Sequence, residues 1–255
     1  MELILNETIT AVVLFIVGVI AGMINVNAGG GSTLTLPALI FLGLDSATAN
    51  GTNRLAIILQ TISSSAAYSH SKYNQFRLSL KLALITLPGV LIGAIAAVKI
   101  DDDTFQIILG IVMLGIIITL LIPQTASNVF DDSSSKKITI PVFISFVLTG
   151  FYGGFIQVGI GFILMAILNK LMKFSLVYVN MHKAVIVMLY TIPALLVFVI
   201  AGNVNWYLGV VLGLGNAAGA WWATKTSIKK GDKFIKIFLI IAMLIISLKL
   251  IGIIP

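Results

Sequence analysis

Apolar residues fill this chain in long runs, without alternation of polar and apolar positions. Ten runs can be read. In the first half they are residues 9–24, 34–44, 55–68, 78–100 and 105–122. In the second half they are 138–155, 158–168, 184–201, 206–223 and 234–254. A polar Ser/Asp-rich stretch lies between the halves. The chain therefore divides into a first unit at residues 1–123, a linker at 124–137 and a second unit at 138–255. Strands of a membrane barrel alternate polar and apolar residues, so these runs predict helices.

A helix that crosses a bilayer needs about 20 residues at about 1.5 Å each. Runs 34–44 and 158–168 are too short, and they hold matching places in the two halves. Irregular backbone at membrane depth survives only when it is buried in protein or lines a cavity. These short segments, and the glycines ahead of them, are the predicted position of a binding site.

The charges between runs predict the topology. Lys72, Arg77 and Lys81 follow run three, and Asp101, Asp102 and Asp103 follow run four. In the second half the order reverses. Residues 202–205 are uncharged, whereas Lys225, Lys229, Lys230, Lys233 and Lys236 follow run nine. Lys170 and Lys173 follow run seven. If basic loops face the cytoplasm, equivalent loops of the halves face opposite sides. The expected architecture is an all-α polytopic protein of two inverted repeats, five apolar segments each, with both termini outside. Ten full crossings satisfy this parity. So do three crossings plus one re-entrant hairpin per half, with residues 50–54 and 180–183 at the hairpin tips.

Composition fits this reading. Mean hydropathy is +1.11, 59% of residues are hydrophobic and 10% are charged. Such a chain belongs in a lipid bilayer. The net charge of +7 is scattered over loops, so it is read as cytoplasmic retention and not as a nucleic-acid surface. Glu2 and Glu7, with no base before the first run, argue for a first membrane helix over a cleaved signal. The absence of cysteine excludes disulfides, thiolate metal sites and Cys nucleophiles. Gly89, Gly93 and Ala97, like Gly215, Gly219 and Ala223, have the spacing of close helix packing.

The candidate chemistry is duplicated. Asn25, Asn27, Gly29, Gly30, Gly31, Ser32 and Thr33 precede or open the first short run. Tyr152, Gln157, Gly159 and Gly161 do so in the second half. A helix N-terminus with unencumbered N–H groups attracts anions. Each half then carries a polar-basic pair, Asn53-Arg54 and His182-Lys183. A cation at the bilayer centre costs about 2.5–3.5 kcal/mol on insertion scales, so it meets a partner or a ligand. No carboxylate lies inside an apolar run, and Asp45 is the nearest to one. Two buried cations without acids predict an anionic substrate; snorkelling to the interface is the structural alternative. His182 is a candidate for proton coupling or for plain hydrogen bonding. No nucleophile–base–orienter set and no metal cluster can be read, so neither an enzyme nor a metal or cofactor site is expected.

The motif Ala21-Gly22-Met23-Ile24-Asn25-Val26-Asn27-Ala28-Gly29-Gly30-Gly31-Ser32, with Leu36-Pro37-Ala38-Leu39, Gly43-Leu44 and Ala49-Asn50-Gly51-Thr52-Asn53-Arg54, resembles the sulfite exporter TauE/SafE family of membrane permeases. Gly150-Phe151-Tyr152-Gly153 and Gly202-Asn203-Val204-Asn205-Trp206 carry the resemblance into the second half. It implies a multi-pass anion transporter in the cell membrane of a prokaryote, with sulfite or organosulfur anions such as sulfonates as substrates. The second half departs from the pattern with Gly159-Ile160-Gly161, and with Met181-His182-Lys183 in place of Thr52-Asn53-Arg54.

The resulting expectation is a secondary transporter whose repeats rock around a small anion. Its partners are that anion and the lipid bilayer, with proton coupling and a homodimer as options and no nucleic acid. The expected binding residues are Asn25, Asn27, Gly30, Gly31, Ser32, Asn53, Arg54, Gln157, His182 and Lys183. A passive anion channel in the same fold is the alternative. A cation transporter is disfavoured by two histidines, no cysteine and no acid within a run.

Overall fold

The computed structural model describes residues 7–27, 29–69, 75–121 and 136–227. All regular structure among them is helical. The elements are α1 Glu7–Asn27, α2 Ser32–Phe41, α3 Ser46–Ser69, α4 Phe76–Lys99, α5 Asp102–Leu121, α6 Ile140–Phe155, α7 Ile160–Ala166 continuing as a π-helical turn Ile167–Leu171, α8 Leu176–Ile200 and α9 Trp206–Ser227. The predicted run at 234–254 and most of the 124–137 linker lie outside the described residues. Glu7–Val26, Phe76–Lys99 and Leu176–Ile200 are long and apolar enough to cross a bilayer.

Local chemistry sets several helix ends. Asp45, Asp101 and Asn205 each accept the N–H three residues on, at 2.9, 2.8 and 3.0 Å, so each caps the start of a helix. Asp45 is thus a cap for α3 and not a partner for Arg54. Gly202 ends α8 with a φ of 78°, and the N–H of Asn203 reaches back to the Phe198 carbonyl, a left-handed helix stop that suits glycine. Pro37, Pro88 and Pro193 lie inside helices, as membrane proteins tolerate when neighbours satisfy the freed carbonyls.

Two helix pairs pack at backbone distance. Gly18 faces Leu212 and Asn216, and Gly22 faces Asn216 and Ala220, so α1 and α9 run parallel. Gly89 faces Val147 and Gly93 faces Phe151, so α4 and α6 run parallel as well. A Cβ on Gly22 or on Gly89 would sit 2.2 Å from a facing carbonyl oxygen. The small-residue stripes are therefore packing surfaces, as their spacing predicts.

Three connections meet at one end of the bundle. The Ser46 N–H donates to Asp102 Oδ1 at 2.5 Å, and the Asn205 N–H to Thr52 Oγ1 at 2.9 Å. The acidic turn after α4 and the uncharged turn after α8 thus share an end. The re-entrant version with residues 50–54 and 180–183 at its tips does not hold. Those residues lie inside α3 and α8, and the turns before them fall at residues 42–45 and 172–175.

The bundle buries a set of polar side chains within an apolar core and is apolar outside. Asn50, Thr52, Asn53, Arg54, Gln157 and His182 are fully buried. Ile9, Val13, Ile92, Ile111, Leu148 and Leu196 are exposed. So broad an exposed apolar surface needs a lipid solvent. Trp206 and Tyr207 at the start of α9, and Trp221 and Trp222 near its end, are exposed in the places where aromatic side chains anchor at membrane interfaces.

Candidate functional site

The last carbonyls of any helix lack intrahelical partners, and the end carries partial negative charge. Two such ends, those of α1 and α6, are buried here because each helix stops inside the protein. Arg54 on α3 donates from Nη1 to Gly153 O at 3.0 Å and from Nη2 to Gly154 O at 2.5 Å. Its guanidinium stands 4.7 Å from the Phe198 ring centre. Asn50, one turn earlier, donates to Phe155 O at 2.7 Å. The C-terminus of α6 is thereby closed by α3.

Lys183 on α8 does the same for α1. Its Nζ donates to Asn25 O and Val26 O, both at 3.0 Å, and to Asn180 Oδ1 at 2.9 Å. Hydrogen bonds to charged groups contribute about 1.5–3 kcal/mol each, enough to offset the insertion cost of a lone cation. The two cations therefore have partners that no acid count reveals.

A cavity lies beside Lys183. Asn25, Ser32, Gln157, Asn180 and Lys183 form its polar wall. Gln60, Thr61, Ser64 and Tyr68 of α3 complete it. Its volume is about 20 Å³, room for one water and not for a multi-atom anion. Lys183 is the one basic side chain among the described residues that line it. The three donors of an ammonium all have protein acceptors in this closed geometry, so a ligand would take the place of one of them.

The backbone around the cavity is irregular where the sequence predicts it. Gly29 and Gly159 have φ of 83° and 68°. Gln157 holds φ of 59° without being glycine, a strained position of the kind that clusters at functional sites. Its Nε2 donates to Thr191 Oγ1 at 2.9 Å, and its buried Oε1 has no partner among the described residues. Tyr152 donates its hydroxyl to Val158 O across the same break.

Asn25, Ser32, Gln157 and Lys183, four of the expected binding residues, line the cavity. Gly30 and Gly31 form the turn into α2, where the Gly30 carbonyl accepts the Thr33 hydroxyl at 2.6 Å. Asn53 accepts from Thr35 Oγ1 at 2.6 Å and ties α3 to α2. Arg54 and Asn53 are buried but are not part of the cavity wall. His182 lies 2.8 Å from Ser79 Oγ through Nδ1 and 4.6 Å from the Phe174 ring, directed at α4. The side chain of Asn27 lies outside the described residues. The α3 contribution is absent from the expected set, although Gln60, Thr61, Ser64 and Tyr68 share one helical face of run 55–68. No group of three or more His, Asp or Glu lies together among the described residues.

The sequence profile of the family described as sulfite exporter TauE/SafE matches residues 14–250. A probable membrane transporter protein of Sinorhizobium is 28% identical over 94% of this chain and 91% of its own length. The probable membrane transporter protein YfcA of Escherichia coli K12 is 29% identical over 93% and 88%. The probable membrane transporter protein YunE of Bacillus subtilis is 26% identical over 84% and 86%. No solved structure matches the chain.

Proposed function

The chain belongs to the sulfite exporter TauE/SafE family, and from that premise we propose that it is a secondary transporter of small sulfur-bearing anions, sulfite or sulfonates. The observation that carries this reading is the charge of the cavity wall. Lys183 supplies a basic side chain, the remaining polar groups are amides and hydroxyls, and no carboxylate lines it among the described residues. A wall of that kind favours an oxyanion and disfavours a metal or organic cation. A cavity with room for one water also fits a carrier better than an open pore.

The proposed architecture is a pair of inverted repeats that rock about the cavity. Matched packing supports it. Gly18 and Gly22 of α1 back onto Leu212 and Asn216 of α9, and Gly150 and Gly154 of α6 back onto Thr86 and Val90 of α4. Arg54 of the first half closes α6 of the second, and Lys183 of the second closes α1 of the first. In this reading Lys183 contacts the anion with Asn25, Ser32 and Gln157, while Arg54 positions the end of α6. Asn27, Gly30, Gly31, Asn53 and His182 form the surround. The membrane is proposed to be the plasma membrane of a prokaryote.

The test is thermal stability of the purified protein against sulfite, sulfate, thiosulfate, sulfoacetate, taurine and acetate at matched ionic strength. A ligand at 100 times its Kd stabilises by about 2.7 kcal/mol. One sulfur anion should raise Tm, and Lys183→Gln should remove the response. A response that survives in Lys183→Gln, or none to any anion, would overturn the assignment.

A further inference from the structure

Helix α3 is 24 residues long, as long as α4, yet it is not among the helices apolar enough to cross lipid. Its second half carries Gln60, Thr61, Ser64, Ser65, Tyr68 and Ser69. Gln60, Thr61 and Ser64 face the central cavity, whereas Ser65 and Ser69 face a second cavity, an open and mostly apolar groove of about 300 Å³. That second cavity is floored by Met181 and Val185 of α8 and reaches Phe76 at the start of α4. It therefore lies toward the α3–α4 connection, the end opposite the three turns at Asp102 and Asn205. This is the connection flanked by Lys72 and Arg77, which the positive-inside rule assigns to the cytoplasm.

Tyr68 lines both cavities. It is buried, 3% exposed, and packs on Met181 and Val185. Hydroxyls flank it: Ser64 Oγ and Ser65 Oγ are buried and have no hydrogen-bond partner among the described residues. Buried hydroxyls without protein partners are costly in a sealed core and suit a path that takes up water or a polar solute. An aromatic ring is suited to close such a path, since it seals by area.

We propose that Tyr68 is the gate between the central cavity and the cytoplasmic side, and that the hydroxyl face of α3 lines the passage it closes. The inference rests on the transport reading, because it assigns the route by which the same cavity opens. Movement of one aromatic side chain would join the two spaces. Withdrawal of the ring requires α3 and α8 to separate at Met181, which is the motion that rocking of one half would supply.

The chain has no cysteine, so a single introduced thiol reports alone. Ser64→Cys places it on the cavity side and Ser65→Cys on the groove side. Sealed vesicles of either orientation are treated with a membrane-impermeant maleimide. Ser65→Cys should label faster than Ser64→Cys from the α3–α4 face, and Ser64→Cys slowly from both faces. Adding Tyr68→Ala should speed Ser64→Cys by about tenfold or more from the α3–α4 face alone, as expected when a minor open state becomes the major one. Tyr68→Phe should leave it slow. Fast labelling of Ser64→Cys with Tyr68 intact, no labelling of Ser65→Cys, or no acceleration by Tyr68→Ala would overturn the gate. If Tyr68→Ala does not fold, the contrast between the two thiols in the intact background still decides. Labelling needs no substrate, so this result stands apart from the identity of the anion.

Discussion

Gly29 and Gly161 back directly onto one another. A Cβ on Gly161 would lie 2.3 Å from the Gly29 Cα, and one on Gly29 would lie 2.6 Å from the Gly161 Cα. Gly29 lies in the break after α1 and Gly161 in the first turn of α7, so the broken segments of the two halves touch inside the protein. No side chain separates them, and the main chains of the two halves are in contact there.

Gly161→Ala should therefore destabilise, since overpacking typically costs about 1–3 kcal/mol. Backbone is the obstacle, so no side chain can yield. Gly110→Ala is the control, because a Cβ there meets nothing within 4 Å. Thermal unfolding in detergent should show a lower Tm for the first and an unchanged or slightly higher Tm for the second. Equal behaviour would contradict the contact.

Arg54 and Lys183 should separate in their effects. Arg54→Met leaves the Gly153 and Gly154 carbonyls and the end of α6 unsatisfied. It should lower stability by about 2–5 kcal/mol while leaving the anion-induced Tm shift in place. Lys183→Gln should abolish that shift. Loss of the shift in Arg54→Met under conditions where it remains folded would move Arg54 into the ligand shell.

Gln157→Gly tests whether the side chain or the turn matters. The φ of 59° is easier for glycine, and relief of about 1 kcal/mol roughly offsets the lost bond to Thr191. Tm should stay close to that of the parent, and the response to the sulfur anion should weaken. An unchanged response would limit Gln157 to backbone geometry.

Outside the membrane, the Thr104 N–H donates to Asp101 and holds its carboxyl below the ordinary carboxylate value. A lowered folded value means that this stabilisation is present at neutral pH and is lost as pH falls through the folded value. Asp101→Asn should flatten the acid limb of a Tm-against-pH profile and leave the neutral limb parallel to the parent. The same acid slope in the variant would show that the cap contributes nothing to it.

The sequence makes the two broken helices legible. Short runs at matching places behind glycines report a backbone that stops inside the protein, and α2 and α7 lie where those runs predict. The glycine stripes are equally plain, because spacing alone puts Gly215 and Gly219 on one face. The partners of Arg54 and Lys183 are not legible. A carbonyl at a helix end has no residue-type signature, so a search for acids reports an absence where the structure has Gly153, Gly154, Asn25 and Val26. The start of α3 is missed for a related reason. Residues 46–54 are polar, yet they are helical because that face is buried against α6 and α9 and not against lipid. Inside a membrane protein hydropathy marks the surface that touches lipid, and α3 has little of it.

The crossed closure by Arg54 and Lys183 also bears on how the chain is made. As α1 leaves the ribosome its final carbonyls have no Lys183, which lies far downstream. Until α8 arrives, those carbonyls lack the Lys183 ammonium as a partner. When α6 emerges, Arg54 is already waiting, so the second break is closed as soon as it forms. Assembly is thereby ordered in time, with the first half held open until translation is well into the second. Separately expressed halves would each lack one cation, and neither could finish its own fold in the bilayer.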